Sequence, residues 1–218
     1  MSLLQEERSA ETRRRLLDAT VACLYERGYA GTTTTEIATR AGVSRGAQLH
    51  HFPKKDELVV SALEHVLALR LTELANVVAE PPPGDREARL LMLIDKMWPI
   101  FKGPTFYAYL ELVVASRTDP ALNEAIRAVT ERFGEGLVEK FGEVLGWPTH
   151  REAELLELIS VLFCHFESLA MERVLTATDE SDSPEFMRAL DTLKKLASHL
   201  LKSANLTPSD NKEEVTKR

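Results

Sequence analysis

Residues Thr33–Phe52 read TTTEIATRAGVSRGAQLHHF. The stretch divides into two short helical segments around a tight turn. Thr33 and Glu36 have the spacing of a capping box, in which each side chain satisfies a backbone N–H at the other end of the first turn. Ile37, Ala38 and Ala41 then recur at helical intervals. Gly42 stands where the first helix must stop, because glycine enters the left-handed conformation without a Cβ penalty. Val43 supplies an apolar plug for the turn, and Ser44 is a good N-cap for the second segment. That segment, Arg45 to His51, is expected to bury Leu49 and Phe52 and to leave Arg45, Gln48 and His50 free. Together these signals describe a helix-turn-helix whose second helix is rich in hydrogen-bonding side chains.

Upstream, Leu16, Leu17, Thr20, Val21, Leu24 and Tyr25 are spaced by threes and fours, which predicts an amphipathic helix from Ser9 to Arg27, ended by Gly28. The run Thr32–Thr35 is β-branched but lacks alternation and lies between two helix signals, so it reads as a cap. Downstream, Lys54 to about Ala79 reads as a long helix, closed by the linker Pro81-Pro82-Pro83-Gly84. Further helices are expected from Asp85 to Phe101, disturbed late by Pro99, and from Thr105 to Ser116. Asp119-Pro120, a cap followed by proline at the first helical position, starts another that Gly146-Trp147-Pro148 stops. Thr149 and Glu152 form a second capping box, and Ser183-Pro184 caps the last helix. From Ala204 the tail is polar, without a periodic apolar face, and is expected to be disordered. Nine helices and no credible strand make the fold class all-α. The expected domains are a helix-turn-helix domain over residues 1–53, a helical ligand-sensing and dimerisation domain over 54–203, and the tail over 204–218.

The chain has 218 residues, 44% hydrophobic and 28% charged, the make-up of an ordinary globular protein. Its net charge of −7 argues against nucleic acid only until the charge is divided. Residues 1–60 carry nine Lys/Arg against eight Asp/Glu, and the remainder eighteen against twenty-six, so the acidity lies outside the N-terminal segment. There the basic groups Arg13, Arg14, Arg15, Arg40, Arg45, Lys54 and Lys55 have room to form a positive face. Cys23 and Cys164 give neither a disulfide framework nor zinc-finger spacing. No secretory leader pattern is visible, and the apolar run Leu155–Val174 is interrupted by Glu157, His165, Glu167, Glu172 and Arg173, so no membrane span is expected and the localisation is read as cytoplasmic.

The N-terminal third resembles the tetracycline-repressor (TetR) family of bacterial regulators. The residues that carry the resemblance are Gly28-Tyr29, Thr32-Thr33, Ile37-Ala38, Arg40-Ala41-Gly42-Val43-Ser44, Gly46, His51-Phe52-Pro53 and Lys55-Asp56-Glu57-Leu58. Arg117-Thr118-Asp119-Pro120 is a phrase seen in some members. The resemblance implies a homodimer whose paired recognition helices enter successive major grooves of a palindromic operator, and a C-terminal pocket whose small-molecule ligand alters DNA affinity. Two positions depart from the family. Leu49 stands where an aromatic that contacts phosphate is common, a role His50 or His51 can take over, and Lys54 replaces the usual Ser or Thr cap.

Phosphate contacts position a DNA reader and base edges supply its specificity. The candidate DNA-contacting residues are Thr33, Ser44, Arg45, Gly46, Ala47, Gln48, His50, His51 and Lys55. Thr33 offers a hydroxyl at a helix N-terminus, which already favours an anion, and Lys55 begins the next helix beside it. Arginine matches the two acceptors of guanine and glutamine the acceptor and donor of adenine, so Arg45 and Gln48 are the expected base readers, joined by His50. Gly46 and Ala47 keep the helix thin, with Ala47 placed for a thymine methyl. Adjacent histidines on a helix point about 100° apart and cannot chelate together, so no metal site and no cofactor are expected.

Most aromatics fall between residues 85 and 176. The expected ligand pocket is touched by Trp98, Phe101, Tyr109, Phe133 and Phe166, with His165 as a polar handle, and suits an apolar or amphipathic ligand. The last two helices are apolar over wide arcs, as a four-helix dimer interface requires. Two other readings compete. A di-iron helical enzyme wants Glu-x-x-His pairs, and none of the six histidines has a Glu three residues before it, so the chain is not expected to be an enzyme. A protein-interaction module that retains the helix-turn-helix as scaffold leaves Arg45 and Gln48 without a reason.

Overall fold

The computed structural model describes residues 3–78, 84–176 and 183–203, which form nine α-helices, one 3-10 turn and no strand. The helices are α1 Leu3–Gly31, α2 Thr34–Ala41, α3 Arg45–His51, α4 Lys55–Val78, α5 Arg86–Phe101, α6 Pro104–Ser116, α7 Pro120–Leu145, α8 Glu152–Thr176 and α9 Pro184–Ser203, with the 3-10 turn at Thr149–Arg151. The Pro81–Pro83 linker and the tail from Ala204 lie outside the described residues.

Four of the expected caps are made, while at Thr149 and Glu152 the chain instead forms the 3-10 turn and α8 begins at Glu152. Thr33 Oγ1 accepts from Glu36 N–H at 3.2 Å and Ser44 Oγ from Ala47 N–H at 3.2 Å. Asp119 Oδ1 accepts from Leu122 N–H and Ser183 Oγ from Phe186 N–H. The Glu36 carboxylate pairs with Arg27 at 2.9 Å, so it ties α2 to α1 as well as standing in the capping-box position. The first helix starts six residues before Ser9 and runs past Gly28, which interrupts it with φ 67° and ψ 174°. At that break Tyr29 is held from two sides. Its N–H donates to Glu111 Oε2 of α6 at 2.9 Å, while Lys55 Nζ approaches its carbonyl at 3.4 Å and lies 4.3 Å from its ring centroid.

The chain divides into two compact units, each discontinuous in sequence. The first takes Met1–Arg70 with Gly103–Phe133, the second Leu71–Lys102 with the chain from Gly134 onward. This differs from a division at residue 53, and the cores of the first unit show why. One core joins Leu16, Ala19 and Cys23 of α1 to Ile37, Ala41 and Phe52 and to Leu58 and Ala62 of α4. The other joins Val21 and Leu24 of α1 to Val59, Leu63 and Val66 of α4 and to residues of α6 and α7. The same two helices line both cores, so packing does not separate a three-helix head there. In the second unit, Arg86 of α5 donates to the carbonyls of Leu145 and Gly146 at 2.7 and 2.6 Å, closing the end of α7 with a cation where the helix dipole favours one.

Gly42 adopts φ 63° and ψ 38°, and a Cβ there would stand 2.7 Å from Arg15 Nη2, which donates to the Ala41 carbonyl and, at 3.2 Å, to that of Gly42. Gly42→Ala is therefore expected to destabilise the protein by at least ~1–2 kcal/mol, the cost of a left-handed residue with a side chain, measured by urea unfolding.

Candidate nucleic-acid interface

Helix α3 is two turns long, and a helix that short presents one inward residue per turn. The inward residues are Gln48, 1% exposed, and its capping successor Phe52, 2% exposed. Gln48 Nε2 donates to the Phe52 carbonyl at 2.8 Å, and Phe52 N–H returns a bond of 2.8 Å to the Gln48 carbonyl. The glutamine amide thus satisfies a buried main-chain oxygen at the exit of α3, where water is excluded. This corrects the expectation that Gln48 is free to read adenine. It also corrects the burial of Leu49, which is 46% exposed on the outer surface of α3.

The remaining candidates on α3 stand differently. Arg45, Gly46 and His50 are exposed, Ala47 and His51 half-buried. The two imidazoles meet edge-on with centroids 5.4 Å apart. Burial, with His50 and Arg13 beside it, keeps the His51 ring neutral to a lower pH than an ordinary histidine. Thr33 is exposed at the N-terminus of α2, and its hydroxyl proton remains available while the oxygen caps the helix. Lys55 is half-buried with its ammonium turned toward Tyr29, so it serves the α1–α2 joint.

The positive face is smaller than a count of charges suggests. Arg14 is committed to Glu11 and Asp18, and Arg40 to Glu26. Arg15 caps the C-terminus of α2, and the Arg13 guanidinium lies 4.4 Å from the Phe52 centroid while donating to Ser61. Exposed Arg45 and Lys54 make no ion pair among the described residues. The sequence signal for these assignments was present but local. Glu11, Asp18 and Glu26 sit one helical turn, or one packed helix, away from their partners.

Of the candidate ligand residues, Trp98, Phe101, His165 and Phe166 lie in the second unit, Tyr109 and Phe133 in the first. Phe166 stacks on Phe101 at 4.9 Å and on Trp98 at 6.5 Å, and Trp98 also meets Phe186 at 4.4 Å. Two nitrogens of the second unit, Trp98 Nε1 in this nest and His165 Nε2, are buried without a hydrogen-bond partner among the described residues. In the first unit, Tyr109, Phe133 and Phe106 surround the guanidinium of Arg70, which is 4% exposed, at 5.5–5.7 Å. Sequence reading missed Arg70, because in the linear pattern it is a charge following an apolar run. Among the described residues no cluster of His, Cys, Asp and Glu could hold a metal ion, and no helix is long and apolar enough to cross a membrane.

Comparison with known proteins gives this geometry a context. The family model for bacterial regulatory proteins of the tetR family matches residues 16–62. The HTH-type transcriptional regulator CymR of Pseudomonas putida is 38% identical over 129 residues, 59% of this chain and 62% of that protein, so the match spans less than two thirds of the relative. An uncharacterized HTH-type transcriptional regulator of Mycobacterium tuberculosis is 30% identical over 173 residues, 79% of this chain and 88% of that one. A solved putative TetR-family transcriptional regulator from Mesorhizobium loti shares the fold with a TM-score of 0.69 at 19% identity, over 90% of this chain and 98% of that one.

The inward Gln48 separates stability from recognition. Gln48→Ala strands the Phe52 carbonyl and is expected to lower unfolding free energy by ~1–3 kcal/mol, whereas exposed Arg45→Ala stays within ~0.5 kcal/mol of the parent, both read by urea denaturation.

Proposed function

The chain belongs to the tetR family of bacterial regulatory proteins, and on that premise we propose that it is a ligand-responsive repressor, binding a palindromic operator as a homodimer and released by a small apolar or amphipathic ligand. The observation that carries the reading is the outer face of α3. Arg45, exposed at the first turn, is placed to meet the two acceptors of a guanine. His50 stands one turn later, and Thr33 and the free N–H groups at the start of α2 suit a flanking phosphate. Ser44, Gly46 and His51 border the same surface.

A single two-turn helix offers too few contacts for useful specificity, so the reading includes a second copy. The last two helices supply an apolar surface for it. Leu156, Met171, Val174 and Leu175 of α8 and Met187 and Leu196 of α9 are exposed in the single chain. Exposed apolar area of that extent favours association.

The effector site is assigned to the aromatic residues of the second unit, Trp98, Phe101 and Phe166, with His165 of the same unit as the polar handle. The bare indole N–H of Trp98 favours a ligand with at least one oxygen acceptor, since an unmet buried donor costs ~1–3 kcal/mol. Helix α4 runs as one element through both compact units, which makes it the natural carrier of a displacement to the reading head. Coupling requires only that the ligand prefer one of two states, and the preference must be reciprocal.

Selection of bound duplexes from random DNA, with and without a metabolite extract, yields the operator and reveals the effector. On that operator Arg45→Ala is expected to cost ~1–3 kcal/mol of specific binding, read by fluorescence anisotropy. Unchanged binding removes Arg45 as a base reader. Effector titrations with and without operator must give different affinities; equal values refute the coupling.

A further inference from the structure

The inward position of Gln48 changes what the recognition helix offers to a base edge. With Gln48 pointing to the core, the helical step of about 100° places Gly46 and His50 outermost and Leu49 at their flank, one turn after Arg45. All four are exposed, and Leu49 is the one large apolar side chain among them. The surface over Gly46 is open, the nearest neighbour of a notional Cβ being Ser44 Oγ at 3.9 Å. A partner can therefore approach this side of the helix closely.

A lone exposed leucine on an ordinary surface carries no message. Leu49 is on the element that reads DNA, between an arginine and a histidine, and it has neither donor nor acceptor. It cannot hold a phosphate oxygen or bond to a base. The major groove presents a single apolar group, the C5-methyl of thymine. A cytosine in the same place carries only a hydrogen at C5, so the leucine would find no methyl to pack on.

We propose that Leu49 is a specificity-determining residue that packs on the C5-methyl group of one thymine in each operator half-site. The proposal rests on α3 being the reading helix. It moves the apolar contact from Ala47, which is half-buried, to exposed Leu49 two residues on. It also replaces the adenine contact expected of Gln48 with a thymine contact at the next residue.

The test uses the full-length chain and the operator obtained by selection. Each thymine of one half-site is replaced singly by 2′-deoxyuridine, which lacks only the methyl group, and affinity is read by fluorescence anisotropy. One position is expected to weaken binding by about three- to four-fold, the worth of one buried methyl group. Leu49→Ala, which removes the contact from both half-sites, is expected to bind the thymine operator weaker by roughly the square of that factor and to be indifferent to deoxyuridine at that position alone. Its unfolding midpoint should match the parent, since the side chain is exposed. The proposal is overturned if no thymine is sensitive, or if Leu49→Ala keeps the whole deoxyuridine penalty. Arg45→Ala measured alongside separates the two levels of failure. If it weakens binding while deoxyuridine has no effect, only the Leu49 assignment falls; if Arg45→Ala and Leu49→Ala both bind as the parent does, α3 is not the reader.

Discussion

Helices α1 and α4 are buried on two faces at once, and the reading head depends on that. Helices α2 and α3 together span fifteen residues of helix and contribute only Ile37, Ala38, Ala41 and Gln48 as fully buried positions, with Phe52 closing the end. A unit of that size buries too little apolar surface to stand alone. Leu16, Ala19 and Cys23 from one side of α1, with Leu58 and Ala62 from α4, complete the missing core. The opposite sides of the same helices, through Val21, Leu24, Val59, Leu63 and Val66, build a second core with α6 and α7. The orientation of the recognition helix is therefore set by helices that belong equally to the body behind it.

Polar side chains then fix the details that apolar contact leaves loose. Arg15 binds the carbonyls at the end of α2, Arg27 and Glu36 join α1 to α2, and Gln48 holds Phe52. Exposed ion pairs contribute little energy each. The Arg15 and Arg27 contacts act geometrically, since each joins α2 to the long α1 at a defined point. The consequence for recognition is a division of labour among the basic residues: those of α1 hold the head together, and those around α3 face outward.

Much of this was legible in the sequence because it rests on local rules. The caps at Thr33, Ser44, Asp119 and Ser183 and the left-handed Gly42 depend on residues within one turn of each other, and all of them are present in the fold. The side assignment on α3 was not legible. Seven residues give too few apolar positions for periodicity to choose between Gln48 and Leu49, and hydropathy alone favours burying the leucine. What decides the choice is the Phe52 carbonyl four residues on, a main-chain acceptor whose burial the local pattern does not reveal. The fates of Arg13 and Arg15 were hidden because their partners Phe52, Ser61 and Ala41 are distant in the chain. Of the aromatic residues expected at the effector site, the sequence shows their clustering but not their division between two compact units.

The joint at Gly28 and Tyr29 has a further meaning for how such a molecule moves. The Glu111 carboxylate holds Tyr29 from outside the apolar cores, in a position open to solvent. Opening it exchanges a protein acceptor for water at a net cost of ~0.5–1.5 kcal/mol, somewhat more for a charged acceptor. Disrupting a core leucine costs several times that. The Tyr29–Glu111 bond is thus a latch at the rim of a welded core, able to open and close while Val21 and Leu24 stay packed against α6.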